Sequence, residues 1–430
     1  MSSQQDQPDV VTSRDNKRKG ADEMVKENLK AFYSRGVPLV NVWMALSFFA
    51  KMKYHEVSFT SLWTIVYLAC LVVSFITDMG MYMMFVMEQF GGRWMIAYLS
   101  TILRITAATA LMLFFDTTDT VTVFILFGLV LVPVIYFFCR MFRPRKVPGF
   151  RWLDSKELLN RGFEMSALVV APSVAGLSGK VLGYVKESSN LTGGHTAVAP
   201  ECFLFYSAVS GLLVVLFCTV PPSLKYDTDI QSMAKVYIPS MAYIALSFLV
   251  VATVVAAQKI LQEYVYLVCC PIAIIATFVY LWDAQGSSGR HAKDPPAQRS
   301  LNDARQDEAS SPAQRSLNDE RQYQAKLAKY LFTAGISSIL LAIMAIHSSY
   351  GIGGSPVSLS WTWKAFVSSA VCSILSHTVR ILILAQMTET ERYENSRIVW
   401  TAVTCAAIAI TAVFALLIIW LHPDEVKNIF

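Results

Sequence analysis

Charge is scarce in this sequence: of 430 residues only 16% are Asp, Glu, Lys or Arg, against 54% hydrophobic. A chain so composed cannot hide its apolar surface in one soluble core, and its mean hydropathy of +0.46 makes lipid the solvent for much of it. Short alternating strands are missing too, which excludes a membrane barrel. The apolar residues instead come in blocks of about twenty, over which only helices satisfy their own backbone groups. The fold class expected is all-α, a polytopic transmembrane helical bundle.

Several signatures of chemistry are also absent. There is no GxxxxGK[ST] loop, HExxH, GxSxG or CxxC, and no close set of His and Asp within an apolar block. These absences disfavour an ATP-driven pump, a metal-dependent membrane hydrolase and a structural zinc site, and no cofactor or metal is expected. Arginines at every third position and a TVGYG segment are lacking as well, so neither a voltage sensor nor a familiar selectivity filter is present. The eight cysteines (Cys70, Cys139, Cys202, Cys218, Cys269, Cys270, Cys372 and Cys405) fall in or beside apolar blocks, where they read as small packing residues. The net charge of +5 sits mostly in short connectors, which is a topology signal and gives no nucleic-acid surface. Residues 1–35 are polar and hold no apolar leader, so an internal helix is expected to direct insertion.

What is there divides the chain into a polar N-terminal tail (1–35), a first membrane region of about eight helices (36–282), a polar linker (283–329), a second membrane region of three helices (330–420) and a short tail (421–430). The expected spans are Val57–Thr77 with its continuation to Met87, Trp94–Phe115, Thr120–Cys139, Phe163–Tyr184, Cys202–Val220, Val236–Ala257, Tyr264–Trp282, Tyr330–Tyr350, Ala365–Met387 and Ile398–Trp420. Val37–Ala50 is short for a crossing; with it the count is about eleven, without it ten. The stretch from Val57 to Met87 is long enough to tilt or to break near Asp78 and Gly80. In the linker, PAQRSLND occurs at Pro296–Asp303 and again at Pro312–Asp319, a duplicated polar segment that builds no core and reads as flexible connector or as a docking motif for a protein partner.

Arg140, Arg143, Arg145, Lys146, Arg151, Lys156 and Arg161 mark their connector as cytoplasmic. Parity then puts the linker on the same side and the turn at Asp116 and Asp119 outside, together with Asn190 of the sequon Asn190-Leu191-Thr192, a candidate N-glycosylation site. Counting Val37–Ala50 as a span brings the basic N-terminal tail to the cytoplasmic side, as the positive-inside rule requires.

Ionisable residues at depth need a reason. Arg104 stands midway along its block, far from either interface, and has Asp78 or Glu88 as candidate partners. The pair reads either as a lock between helices or as a charge that meets a solute. Asp78 beside Gly80 would suit an unwound segment of the kind that binds ions in transporters. Lys180 lies near the outer rim and can snorkel, while Ala167, Ala171, Ala175 and Gly179 recur every four residues and favour close helix approach. His377 lies near the middle of its block, with Ser373 and Ser376 nearby and Arg380 one turn on; it reads as a hydrogen-bonded core histidine or as a proton or substrate contact. Pro133, Pro172, Pro239 and Pro271 are expected to kink their helices.

Two functional classes lead. A secondary transporter of a small solute or ion would use Asp78, Arg104 and His377 around a central cavity. A structural or accessory subunit of a membrane complex would use the same residues to lock helices and the linker to dock. A membrane-embedded lipid-modifying enzyme is the third and weakest, since no catalytic set is visible.

Overall fold

The computed structural model describes residues 37–54, 62–86, 93–113, 153–182, 200–218, 228–270, 331–348, 360–386 and 391–424, together with Tyr33, Ile274 and Val426. The expected span Thr120–Cys139, the basic connector before Leu153, the second half of Tyr264–Trp282, Asn190, Glu88 and the repeated linker lie outside the described residues.

Among the described residues the chain is an all-α bundle of ten helices: α1 (Val37–Tyr54), α2 (Leu62–Val86), α3 (Arg93–Leu113), α4 (Leu153–Leu182), α5 (Pro200–Cys218), α6 (Thr228–Leu261), α7 (264–270), α8 (Leu331–Ser348), α9 (Trp361–Gln386) and α10 (Glu391–Leu421). Five of these, α2, α5, α6, α8 and α10, hold segments long and apolar enough to cross a bilayer. The protein is therefore a multi-pass integral membrane protein. The apolar part of α3, Ile96–Ala110, is shorter, and α1 is a regular helix of 18 residues that is not among the five.

Local sequence explains several boundaries. Pro38 lies in the first turn of α1 and Pro200 opens α5, positions where a missing N–H costs nothing. Glu201 follows at once, its charge favoured by the helix N-terminus. Between α6 and α7 the chain turns at Gln262, which takes φ +53° while its N–H still reaches the Gln258 carbonyl at 2.8 Å.

Of the two alternatives for the long second block, tilt or break, the structure shows no break. Helix α2 runs unbroken through Asp78 and Gly80, and its 25 residues span about 37 Å at the usual rise, more than the hydrocarbon thickness. Thr77 and Ser74 keep the register locally, the Thr77 hydroxyl donating to the Ser74 carbonyl at 2.7 Å. Pro172 and Pro239 likewise sit inside continuous helices, α4 and α6, which membrane helices tolerate when neighbours satisfy the freed groups.

Helix α5 is the axis of the bundle. It packs against α3, α4 and α6, and 83% of its span is buried inside the protein, against 22% for α2 and 17% for α10. The peripheral helices turn apolar faces outward: Ile65, Val72, Ile76 and Met79 on α2, Val413, Leu416 and Trp420 on α10. Such faces suit lipid.

Close approach rests on small residues, as the four-residue spacing in α4 predicts. Ala171, Ala175 and Gly179 are fully buried, and a Cβ at Gly179 would overlap the backbone carbonyl of Leu341 in α8. Gly176 in turn admits Leu204 and Leu340. With little hydrophobic drive between helices in lipid, such packing and interhelical hydrogen bonds hold the bundle. Hydroxyls supply the bonds: Ser173 and Ser207 lie 2.8 Å apart, Ser207 donates to the Ala245 carbonyl at 2.7 Å, and Ser178 reaches the Trp43 carbonyl at 2.7 Å. These contacts stitch α4, α5, α6 and α1 together.

Candidate functional site

Arg104 lies on α3 with only 1% of its surface exposed, the largest fully buried side chain in the bundle. A guanidinium so placed needs a counterion. Asp78 of α2 supplies it, Arg104 Nη2 donating to Asp78 Oδ2 in a short contact. Of the two partners the sequence offers, the structure shows Asp78.

The carboxylate is held from two other directions. Asn41 of α1 donates from Nδ2 to Oδ2 at 2.6 Å, and Ser100 of α3 donates to Oδ1 at 2.7 Å. The same Ser100 oxygen accepts from Arg104 Nη1 at 2.6 Å. Ser100 and Arg104 are four residues apart and so share one face of α3, which closes a ring of bonds through Asp78. Tyr33, ahead of α1, brings its ring to 5.9 Å from the guanidinium carbon and donates its hydroxyl to the Ala97 carbonyl at 3.2 Å. Burial pushes the Tyr33 phenol above its ordinary value, with Arg104 opposing the shift.

The ring does not use every polar atom. Among the described residues Arg104 Nε and Asn41 Oδ1 are buried and have no hydrogen-bond partner. One donor and one acceptor are thus vacant beside a buried ion pair.

His377 is in another part of the bundle. Its helix, α9, packs chiefly on α10, α6 and α4, whereas α2 and α3 pack on each other, α1 and α5. The imidazole is 1% exposed and neither ring nitrogen has a partner among the described residues. The nearby serines turn elsewhere: Ser373 lies 3.1 Å from Thr411 of α10, and Ser376 donates to the Ser373 carbonyl at 3.0 Å. Arg380, one turn on, stacks its guanidinium 4.6 Å from the Phe332 ring of α8. The sequence singled out Asp78, Arg104 and His377 together; the structure joins the first two and leaves the third apart.

Sequence reading missed three members of these clusters. Asn41 was visible as a carboxamide in a short apolar run, and Ser100 as the residue one turn before Arg104. Glu201, just ahead of the block Cys202–Val220, is 2% exposed and pairs with Lys180 at 3.1 Å. Lys180 therefore has a carboxylate partner in addition to a short path to the rim. Glu201 Oε2 has no hydrogen-bond partner among the described residues.

No group of three or more His, Cys, Asp or Glu side chains able to hold a metal occurs among the described residues, and the seven described cysteines are free thiols. No family model, no curated protein and no solved structure matches this chain.

Proposed function

We propose that this membrane protein is a secondary transporter of a small solute, and that the Asp78–Arg104 cluster is where the solute is held. The observation that carries this reading is the vacant donor and acceptor beside the buried pair, Arg104 Nε and Asn41 Oδ1. A lock that served only to join helices would be expected to satisfy its polar atoms, because each buried orphan costs roughly 1–3 kcal/mol. A binding site leaves such atoms free for its ligand. His377, both of whose nitrogens lack a partner among the described residues, is a second candidate contact, on a helix that packs on α10, α6 and α4 and away from α2 and α3.

The mechanism would be alternating access, with α1, α2 and α3 shifting against the central α5. In this reading the N-terminal tail and the linker face the cytoplasm, and Asn190 faces outward. Cysteine labelling of residues in the tail and beside Asn190 in sealed vesicles tests that sidedness.

A metabolite uptake screen in proteoliposomes tests the function itself. Arg104→Ala is expected to abolish uptake while the protein still inserts and purifies as a single species. Misfolding that accompanies every change at Arg104, with no separable transport defect, overturns the assigned role.

The structural or accessory reading keeps one specific support, the solid packing of α5 and the backbone contact of Gly179 with α8. It predicts no uptake of any solute and a stable complex with another membrane protein.

A further inference from the structure

Charge balance within the Asp78–Arg104 cluster narrows the class of solute. The cluster holds one carboxylate and one guanidinium, so at rest it is neutral. Among the described residues the groups facing Asp78 are Arg104 and Ser100 from α3, Asn41 from α1 and the Tyr33 ring ahead of α1. The phenol, the hydroxyl and the amide are neutral groups and the guanidinium already carries its proton, so the Asp78 carboxylate is the one group of this set with an oxygen open to a proton.

The guanidinium presents Nε and Nη2 on one edge, a fork that matches the two oxygens of a planar carboxylate. Asp78 fills only the Nη2 half of it, and Nε has no partner among the described residues. Asn41 shows the complementary vacancy. Its Nδ2 donates to Asp78 while Oδ1 has no partner among the described residues. A half-turn of that amide would let Oδ1 accept a hydrogen bond from a protonated Asp78.

From these two vacancies we propose that the cluster carries a small monovalent carboxylate together with one proton, an inference that rests on the transporter reading above. Asp78 takes the proton on one oxygen and its O–H turns to Asn41 Oδ1. The Arg104 fork passes from Asp78 to the incoming carboxylate, which receives both Nε and Nη2. No covalent bond changes apart from the O–H formed on Asp78. The cluster is neutral before and after, which matters in a site where Arg104 is 1% exposed. An anion arriving without the proton would leave an unbalanced negative charge in a low dielectric, and a cation binding Asp78 would strand Arg104.

The full chain in proteoliposomes, with protein-free vesicles subtracted, decides the matter. The probes are radiolabelled pyruvate and lactate, with choline as a cation and mannitol as a neutral solute. One pH unit, acid outside, is expected to drive about tenfold accumulation of a carboxylate probe at equilibrium, unchanged by a valinomycin-clamped potential and accompanied by acidification of the lumen. Asp78→Asn, fixed in the neutral form, is expected to keep carboxylate exchange and lose accumulation. The charge-neutral double variant D78N/R104Q guards against misfolding of a variant with an unbalanced charge; it is expected to purify as a single species and carry nothing. Carboxylate uptake that ignores the proton gradient or follows the potential overturns the coupling. Flux of choline, mannitol or another solute without carboxylate flux overturns the substrate class and leaves transport standing. No flux of any solute in this panel or in the wider screen overturns both.

Discussion

Arg104 and His377 are equally buried, each about 1% exposed, yet among the described residues one is surrounded by hydrogen-bond partners and the other has none. The difference follows from what burial costs each group. A guanidinium stays charged at any accessible pH, and stripping it of water is tolerable only beside a counterion. An imidazole can stay neutral, and a neutral orphan costs a few kcal/mol at most. The α1–α3 side of the bundle has therefore been built around its charge, with Asp78, Ser100 and Asn41 converging from three helices. The α9 side packs around His377 without answering it.

Removing the counterion should do the most damage. Asp78→Ala leaves Arg104 charged and unpaired, and a loss of about 3–5 kcal/mol is expected in thermal or denaturant unfolding of the purified protein. The double change D78A/R104L should return most of that loss, because an apolar pair replaces an ion pair at little net cost. If the double variant were as unstable as the single, the ring of bonds and not the charge would be what holds α2 to α3.

Lys180 and Glu201 sharpen the contrast from an intermediate position. Glu201 is buried, but Lys180 is 14% exposed and near the end of α4, so it retains a path to water when its partner is lost. Glu201→Ala is expected to cost about 1.5–3 kcal/mol by the same unfolding measurement, less than Asp78→Ala. Ser100→Ala comes next, at about 1 kcal/mol, since it removes one hydroxyl from the ring while the ion pair persists. A Ser100→Ala loss as large as that of Asp78→Ala would mean that the hydroxyl, by bridging Arg104 Nη1 and Asp78 Oδ1, sets the geometry of the pair.

How much of this was legible beforehand depended on the range of the interaction. Among the described residues helices lie over the long apolar blocks, five of them long enough to cross, because backbone satisfaction in lipid is a local constraint. The small-residue ladder of α4 was legible for the same reason, its spacing placing Ala171, Ala175 and Gly179 on one face. Arg104 announced itself by depth and Asp78 by proximity. Tilt and break at Asp78 could not be separated in the sequence because an acid two residues from a glycine resembles a helix end; pairing with Arg104, Asn41 and Ser100 makes the acid compatible with an unbroken α2. Asn41 and Glu201 were out of reach as partners, since each depends on which helices become neighbours, and single-chain periodicity does not encode that.

The smallest effect is expected at His377, and it tests the comparison most sharply. Replacing the imidazole by leucine removes two buried nitrogens that make no hydrogen bond among the described residues and leaves an apolar side chain of similar bulk in a buried position. Deleting orphaned polar atoms in favour of a packed apolar group is close to neutral or stabilising, so His377→Leu should unfold within about 1 kcal/mol of the parent chain. Stability and transport then part company. A variant as stable as the parent but unable to move solute would show that the vacancy at His377 is kept for a ligand or a proton, whereas unchanged uptake would confine solute handling to Asp78 and Arg104. A loss of several kcal/mol would mean that the imidazole is answered after all, and the contrast between the two sides of the bundle would have to be abandoned.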